Sequence, residues 1–179
     1  MPVFTMRDAK LFLGKTSHNY LYLLIHNLLK TGELKRITKG VYTFHEEAQL
    51  VGFAFEPFYY GLQDALSLHN LWEQETNPIV ITTRNIRSGT RNFEGSNYIV
   101  RHVNRKIFYG FDIIKYFNYW IPVSTIEKTL IDFVYYREPL SKETVNEIKR
   151  KINHEKLNEY LKRTPAKIRE KVLKLLKMH

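Results

Sequence analysis

Leu28-Leu29-Lys30-Thr31-Gly32-Glu33-Leu34-Lys35-Arg36-Ile37-Thr38-Lys39-Gly40-Val41-Tyr42 decides how the chain reads, because it holds the end of one helix and most of one hairpin. Gly32 stands where a helical pattern stops, and a glycine just past the last periodic residue is a stop signal. Leu34 to Ile37 and Val41 to Phe44 flank Thr38-Lys39-Gly40, a three-residue loop. Its final glycine accepts the left-handed conformation that a type I turn with a bulge demands. Upstream, Leu21, Leu24, Ile25, Leu28 and Leu29 recur as i, i+3, i+4, i+7 and i+8. That spacing predicts an amphipathic helix of about four turns, capped after the break Gly14 to Ser17 by one of two hydroxyls. Earlier still, Thr5-Met6-Arg7-Asp8 has the form of a capping box, and Met6, Ala9, Phe12 and Leu13 follow at helical spacing, so a short helix ends at Gly14.

Helix, short turn, longer helix and basic hairpin form the order of a winged helix-turn-helix. In that arrangement the second helix offers side chains to base edges in the major groove while the wing and helix starts hold phosphates. The outward face of the second helix carries His18, Asn19, Tyr22, His26 and Lys30, and no acidic residue lies between Ser17 and Thr31. The expected DNA contacts are Lys15, Ser17, His18, Asn19, Tyr22, His26, Lys35, Arg36 and Lys39. The competing reading is a solvated helical hairpin with its lysines in water and Tyr22 partly buried. His18 and His26 lack the spacing and supporting ligands of a metal site.

Composition narrows the classes. The chain has 179 residues, a net charge of +10 and 44% hydrophobic residues, which is too apolar for a disordered polycation. It has no cysteine, which excludes disulfide frameworks, cysteine-based metal sites and thiol catalysis. No secretion signal or stretch of about 20 apolar residues is visible, so the expectation is a cytoplasmic protein with an anionic partner and no membrane. The charge falls in blocks: residues 1–45 carry +5, residues 46–136 carry −2 and residues 137–179 carry +7. These blocks give the expected organisation: a winged helix-turn-helix over 1–45, a mixed α/β domain over 46–136, and basic C-terminal helices over 137–179 packed on the second domain. The fold class is α+β.

In the middle block, Leu62, Ala65, Leu66 and His69 mark a helix closed by Leu71 and Trp72, and Ile79 to Thr83 reads as a buried strand. Arg84 to Gly95 is polar, and its Arg84, Arg87 and Arg91 are either a solvated connection or a second phosphate contact. Tyr98 to Val103, Ile107 to Phe111, Ile113 to Tyr116 and Trp120 to Val123 read as strands. Ser124-Thr125-Ile126-Glu127 then opens a helix as a capping box, with Glu127 reaching back to the cap and Lys128 paired to Asp132 at i, i+4. A metal-dependent nuclease could use the same carboxylates and lysine. His45, His69, His102 and His154 are dispersed, and nucleophile-elbow, phosphate-loop and dinucleotide motifs are missing, so nothing supports an enzyme or a cofactor. In the last block Val145, Ile148 and Ile152, then Leu157, Tyr160 and Leu161, then Ile168, Val172, Leu175 and Leu176 form three docking stripes. Thr164-Pro165 reads as cap and first residue of the third helix. The outward lysines and arginines suit nucleic acid, an acidic protein partner or plain solvation.

Taken in order, four stretches resemble the AbiE-type (AbiEi-like) antitoxin family, transcriptional regulators of viral defence. They are Leu28 to Tyr42; Tyr60-Gly61-Leu62-Gln63-Asp64-Ala65-Leu66-Ser67-Leu68-His69-Asn70-Leu71; Ile79 to Thr83; and Ile121 to Asp132. The resemblance implies a winged helix on inverted repeats in the operon's own promoter, and the expectation is a homodimer, a pair of copies on a two-fold site. It also implies a C-terminal domain that neutralises a nucleotidyltransferase-like toxin without a stable complex. The chain departs at Asn70, where the family typically has glycine, and in its short, lysine-rich C-terminal part.

Overall fold

The computed structural model describes residues 2–14 and 17–177. It is α+β. The N-terminal part runs β1 (Phe4–Thr5), α1 (Met6–Leu13), α2 (His18–Thr31), β2 (Lys35–Thr38) and β3 (Val41–Thr43), the strands ordered β1-β3-β2 in an antiparallel sheet. The caps are those the sequence calls for. Thr5 N donates to Asp8 Oδ2 at 2.7 Å while Asp8 N donates to Thr5 Oγ1, and Ser17 Oγ accepts from Tyr20 N at 3.3 Å. Gly32 closes α2 with φ 77°, and Leu34 N returns to Leu28 O. At the hairpin the register slips by one between Arg36 and Thr38, and Gly40 takes φ 77°.

The rest is built on a six-stranded mixed sheet. Its strands are β4 (Phe58–Tyr60), β5 (Ile79–Thr82), β6 (Gly89–Phe93), β7 (Ser96–His102), β8 (Phe111–Tyr116) and β9 (Tyr119–Ser124), ordered β6-β7-β5-β4-β9-β8. Alternation along the central strands sends side chains into two cores. Tyr59, Ile79 and Ile81 face a layer made by α3 (Leu62–Leu68), α4 (Ile126–Tyr136), α5 (Lys142–Lys151), α6 (His154–Arg163) and α7 (Ala166–Lys177). Phe58, Tyr60 and Val80 face a buried 3-10 stretch, Ala48–Phe55, together with Val3 and Ile37 from the N-terminal part. Of the stripes of the last three helices, Val145, Ile148, Ile152, Leu157, Leu161 and Val172 each fall within 7% exposure, while Tyr160, Ile168, Leu175 and Leu176 pack against this core partly buried.

Several expectations are corrected. Arg84 to Gly95 is not all connection, because residues 89–93 pair with β7 and turn through Glu94 and Gly95, both at positive φ. Ile107 to Gly110 is not strand: a 3-10 turn at Arg105–Ile107 buries Ile107 and Tyr109 toward the helices, and pairing starts at Phe111. Gly110 has φ 76°, and a Cβ there would meet Tyr160 at 2.9 Å. The cap of α4 is Thr125, not Ser124, since Thr125 accepts from Lys128 N. Thr164 turns its hydroxyl to Tyr160 O and Tyr109, and the first carbonyl bonded into α7 is that of Pro165. Asn70 has φ 56°, the left-handed region that glycine occupies freely and asparagine tolerates better than most residues.

One polar group ties this body together. Asp64 on α3 accepts from Gln49 Nε2 at 3.1 and 3.0 Å and from Ile79 N at 3.0 Å, joining helix, 3-10 stretch and strand. Burial pushes its carboxyl up to about 7, with the hydrogen bonds from Ile79 and Gln49 opposing. The folded state therefore holds this proton more tightly than the unfolded chain, whose value is 3.8, so stability from Asp64 is full below about pH 4 and falls as pH rises to about 7. Asp64→Asn should remove that dependence: the stability difference between wild type and variant should move by about 3 kcal/mol between pH 4 and 7 in urea melts, against the wild type at the higher pH. A constant difference across this window contradicts it.

Candidate nucleic-acid interface

The sequence of α2 sets its two faces. Leu21 and Ile25 are buried against Leu34 and Tyr42, and Leu24, Leu28 and Leu29 flank them. The diametrically opposite line is Asn19, Leu23, His26 and Lys30, at i, i+4, i+7 and i+11, all exposed. His18 and Tyr22 lie beside it with ring centroids 4.6 Å apart, and Tyr22 is 54% exposed, which sets aside the buried alternative for it. The structure thus brings His18, Asn19, Tyr22 and His26 onto one open surface, with Ser17 at its start. No acid lies in the first turn, so the exposed backbone N–H groups there face no competing carboxylate. Lys15 lies outside the described residues.

Tyr20 and Leu23, each 57% exposed, and Asn27 belong to this surface and are absent from the sequence reading. A leucine inside an apolar-rich helix reads as core. Only its position in the periodic stripe, directly opposite Leu21 and Ile25, marks it as outward.

The wing divides. Arg36 and Lys39 are exposed. Lys35 has a side chain only 12% exposed, paired with Glu46 at 3.0 Å and reaching Gly32 O at 3.4 Å. It fastens the hairpin to the chain that follows. The wing is itself seated on the body: Ile37 is buried in the second core and Tyr98 Oη donates to Ile37 O at 3.3 Å. Arg91 stands opposite Tyr98 in the β6–β7 register, which places the arginine segment beside the wing. There Arg91 lies over the Phe55 ring at 5.0 Å and donates to Arg87 O, while Arg84 Nη1 donates to Ala54 O at 2.9 Å. Arg91 therefore braces β6 against the 3-10 stretch and Arg84 ties the chain after β5 to it; Arg84 and Arg87 are both exposed.

Residues 1–45 match the family model described as transcriptional regulator, AbiEi antitoxin. The match covers a quarter of the chain and coincides with the two helices and wing just described. Over these residues the chain is similar to that family of transcriptional regulators. No curated protein matches the chain.

The N-terminal unit is joined to a body in which the cluster of Tyr59, Lys128 and Asp132 is closed. Lys128 and Asp132 are both fully buried and paired with each other, Lys128 Nζ donates to Tyr59 Oη at 3.0 Å, and Tyr59 Oη donates to Asp132 Oδ2 at 3.0 Å. Burial pulls the lysine down and the carboxyl up, each opposed by its partner's charge. Glu127 does not reach back to cap α4. It is turned to α6, where Oε1 accepts from Asn153 N at 2.8 Å. The carboxylates and lysine that a nuclease would need are spent on internal bonds with no access for a phosphodiester. The i, i+4 pairing stands, but as an interior trio. Asp132→Leu, which strands a buried ammonium, should cost about 3–5 kcal/mol in chemical denaturation, and adding Lys128→Met and Tyr59→Phe should recover most of it. Losses that simply add would contradict this.

Proposed function

We propose that the chain is a DNA-binding autorepressor of the AbiEi type, acting by binding rather than catalysis, in the cytoplasm, on inverted repeats of its own promoter. The observation that carries this reading is the exposed, acid-free face of α2 beside Arg36 and Lys39. His18, Asn19 and Tyr22 would meet base edges, joined by His26 further along the groove. Leu23 adds an apolar contact suited to a thymine methyl group. Ser17, Lys15, Arg36 and Lys39 would hold phosphates, with Lys35 positioning the wing and Arg87 a more distant contact. Two copies would occupy the two halves of an inverted repeat. The antitoxin half of the reading, a functional link to a nucleotidyltransferase-like toxin, rests on the resemblance.

A second reading has its own support. The helices α5 to α7 carry twelve Lys/Arg against five Asp/Glu. Most of these cations are exposed, a surface that suits an acidic protein partner.

Fluorescence anisotropy with duplex from the upstream region tests the leading reading. Neutralising six or more phosphates should weaken binding roughly a thousandfold between 50 and 200 mM salt. A flat response contradicts it. Arg36→Ala and Lys39→Ala should weaken all duplexes alike and flatten the salt slope. Asn19→Ala should instead shift preference between duplexes by about 1–3 kcal/mol.

A further inference from the structure

β5 and β7 run parallel with Thr82 beside His102 in register, so their carboxyl ends lie together at one end of the sheet. Such ends are where open sheets gather ligands. The segments around them, Ile79 to Phe93 and Ser96 to Gly110, hold Arg84, Arg87, Arg91, Arg101, Arg105 and Lys106 and no acidic residue. Just beyond the strand ends, Thr83, Arg84, Arg105, Phe108 and Pro57 line a cavity of about 330 Å³. Arg84 Nη1 donates to Ala54 O at 2.9 Å, which holds that guanidinium in the wall through one of its five donors. A second, more open cavity of about 570 Å³ shares Pro57 and Phe108 with the first and continues along Phe111, Ile113, Trp120 and Pro122. Phe108 and Phe111 are held in place by each other and by Tyr59, with ring centroids 5.1 to 5.3 Å apart. Beside them Ile113 and Trp120 are 58% and 62% exposed, an apolar patch of the kind that marks a binding surface.

We infer that the joined cavities bind a nucleoside phosphate, its phosphate on Arg84 and Arg105 and its base against Phe108 and Trp120. Two features select this chemistry. The first cavity sets two guanidiniums together and has no carboxylate in its walls, which calls for an acceptor of more than one negative charge with the fork geometry of phosphate. The second offers aromatic faces, which take a flat ring by stacking whatever its edges carry. Because the cavities share a wall, the ligand that fills both carries a ring at one end and a phosphate at the other. Glu56, the acidic residue present, lines the second cavity and not the first, so it faces the sugar hydroxyls as a hydrogen-bond acceptor rather than competing for the arginines. Both volumes lie in the range of small-ligand sites. A free nucleotide and an unpaired nucleotide of a single strand present the same ring and phosphate. No residue of α2 or of the wing lines either cavity, so this site stands apart from the proposed duplex contacts.

Isothermal titration calorimetry of the full chain with AMP, GMP, CMP, dTMP and an octathymidylate tests the site. At least one of these probes should bind with a dissociation constant below about 1 mM. For a monophosphate that binds, the matching nucleoside, which lacks the phosphate, and ribose 5-phosphate, which lacks the ring, should each bind at least about tenfold more weakly. Arg105→Ala should weaken the monophosphate about tenfold and leave the nucleoside unchanged, whereas Trp120→Ala should weaken both about tenfold. Arg105 and Trp120 are exposed, so neither variant should move the urea midpoint, and Lys171→Ala on α7 should change neither affinity. An octathymidylate that binds more than about tenfold tighter than dTMP assigns the site to an unpaired strand, and equal affinities assign it to a free nucleotide. Absence of binding by every probe at about 5 mM overturns the inference. A nucleoside that binds as well as its monophosphate, or a monophosphate indifferent to Arg105→Ala, also overturns it and points to an apolar protein contact instead. Asn19→Ala and Arg36→Ala should leave monophosphate binding unchanged, and Arg105→Ala should leave duplex binding unchanged, so this site and the repressor reading fail separately.

Discussion

Ile37 leaves the wing hairpin and is buried in the core under the six-stranded sheet, where Val3 joins it, and its own carbonyl is held by the Tyr98 hydroxyl from β7. The rest of the arrangement depends on this seating. A three-stranded sheet with four buried core residues cannot by itself hold α2 at a fixed angle. Anchored through Ile37, and tied again by Lys35 to Glu46 and by Tyr119 Oη to His45 Nδ1 at 3.0 Å, the unit becomes an extension of the body. The acid-free face of α2 is then presented from a platform rather than from a flexible arm, and less conformational entropy is lost when DNA is bound.

The same seating explains how the charge is divided. The body is mildly acidic as sequence but spends its charged groups internally: Asp64 on Gln49 and Ile79, Asp132 on Lys128, Glu127 on Asn153, Arg91 on Phe55. Among the exposed charges, cations predominate on the wing and α2 and on α5 to α7, while the body between them exposes both signs, among them Glu73, Glu75, Arg87, Glu94 and Lys106. Two basic surfaces thus sit on one frame, and the proposed DNA contacts use the first of them.

Legibility in the sequence followed periodicity. The two N-terminal helices, their caps, the hairpin and the last three helices were readable because amphipathic spacing and capping residues are local signals. The 3-10 stretch Ala48–Phe55 was not, since Ala-Gln-Leu-Val-Gly-Phe-Ala-Phe is apolar on every side and carries neither helical nor strand period. The edge strand 89–93 was hidden because an edge needs few apolar residues, and Thr-Arg-Asn reads as loop. Of the exposed face of α2, the polar residues were legible, whereas Leu23 and Tyr20 were masked by their apolarity. Lys35 was legible as a cation but not as one already paired, because Glu46 reaches it only after the hairpin has folded. The 80% exposure of Phe12 on α1 was likewise invisible, as its spacing is that of a core residue.

The most direct test of the central claim is a nuclear magnetic resonance titration of the full chain with duplex from the upstream region, following backbone amides. The account predicts that the perturbed resonances concentrate in residues 17–31 and in the wing at 36–40, with Asn19 and Leu23 among the largest. Perturbations confined to α5 to α7, with α2 unmoved at saturation, would contradict it.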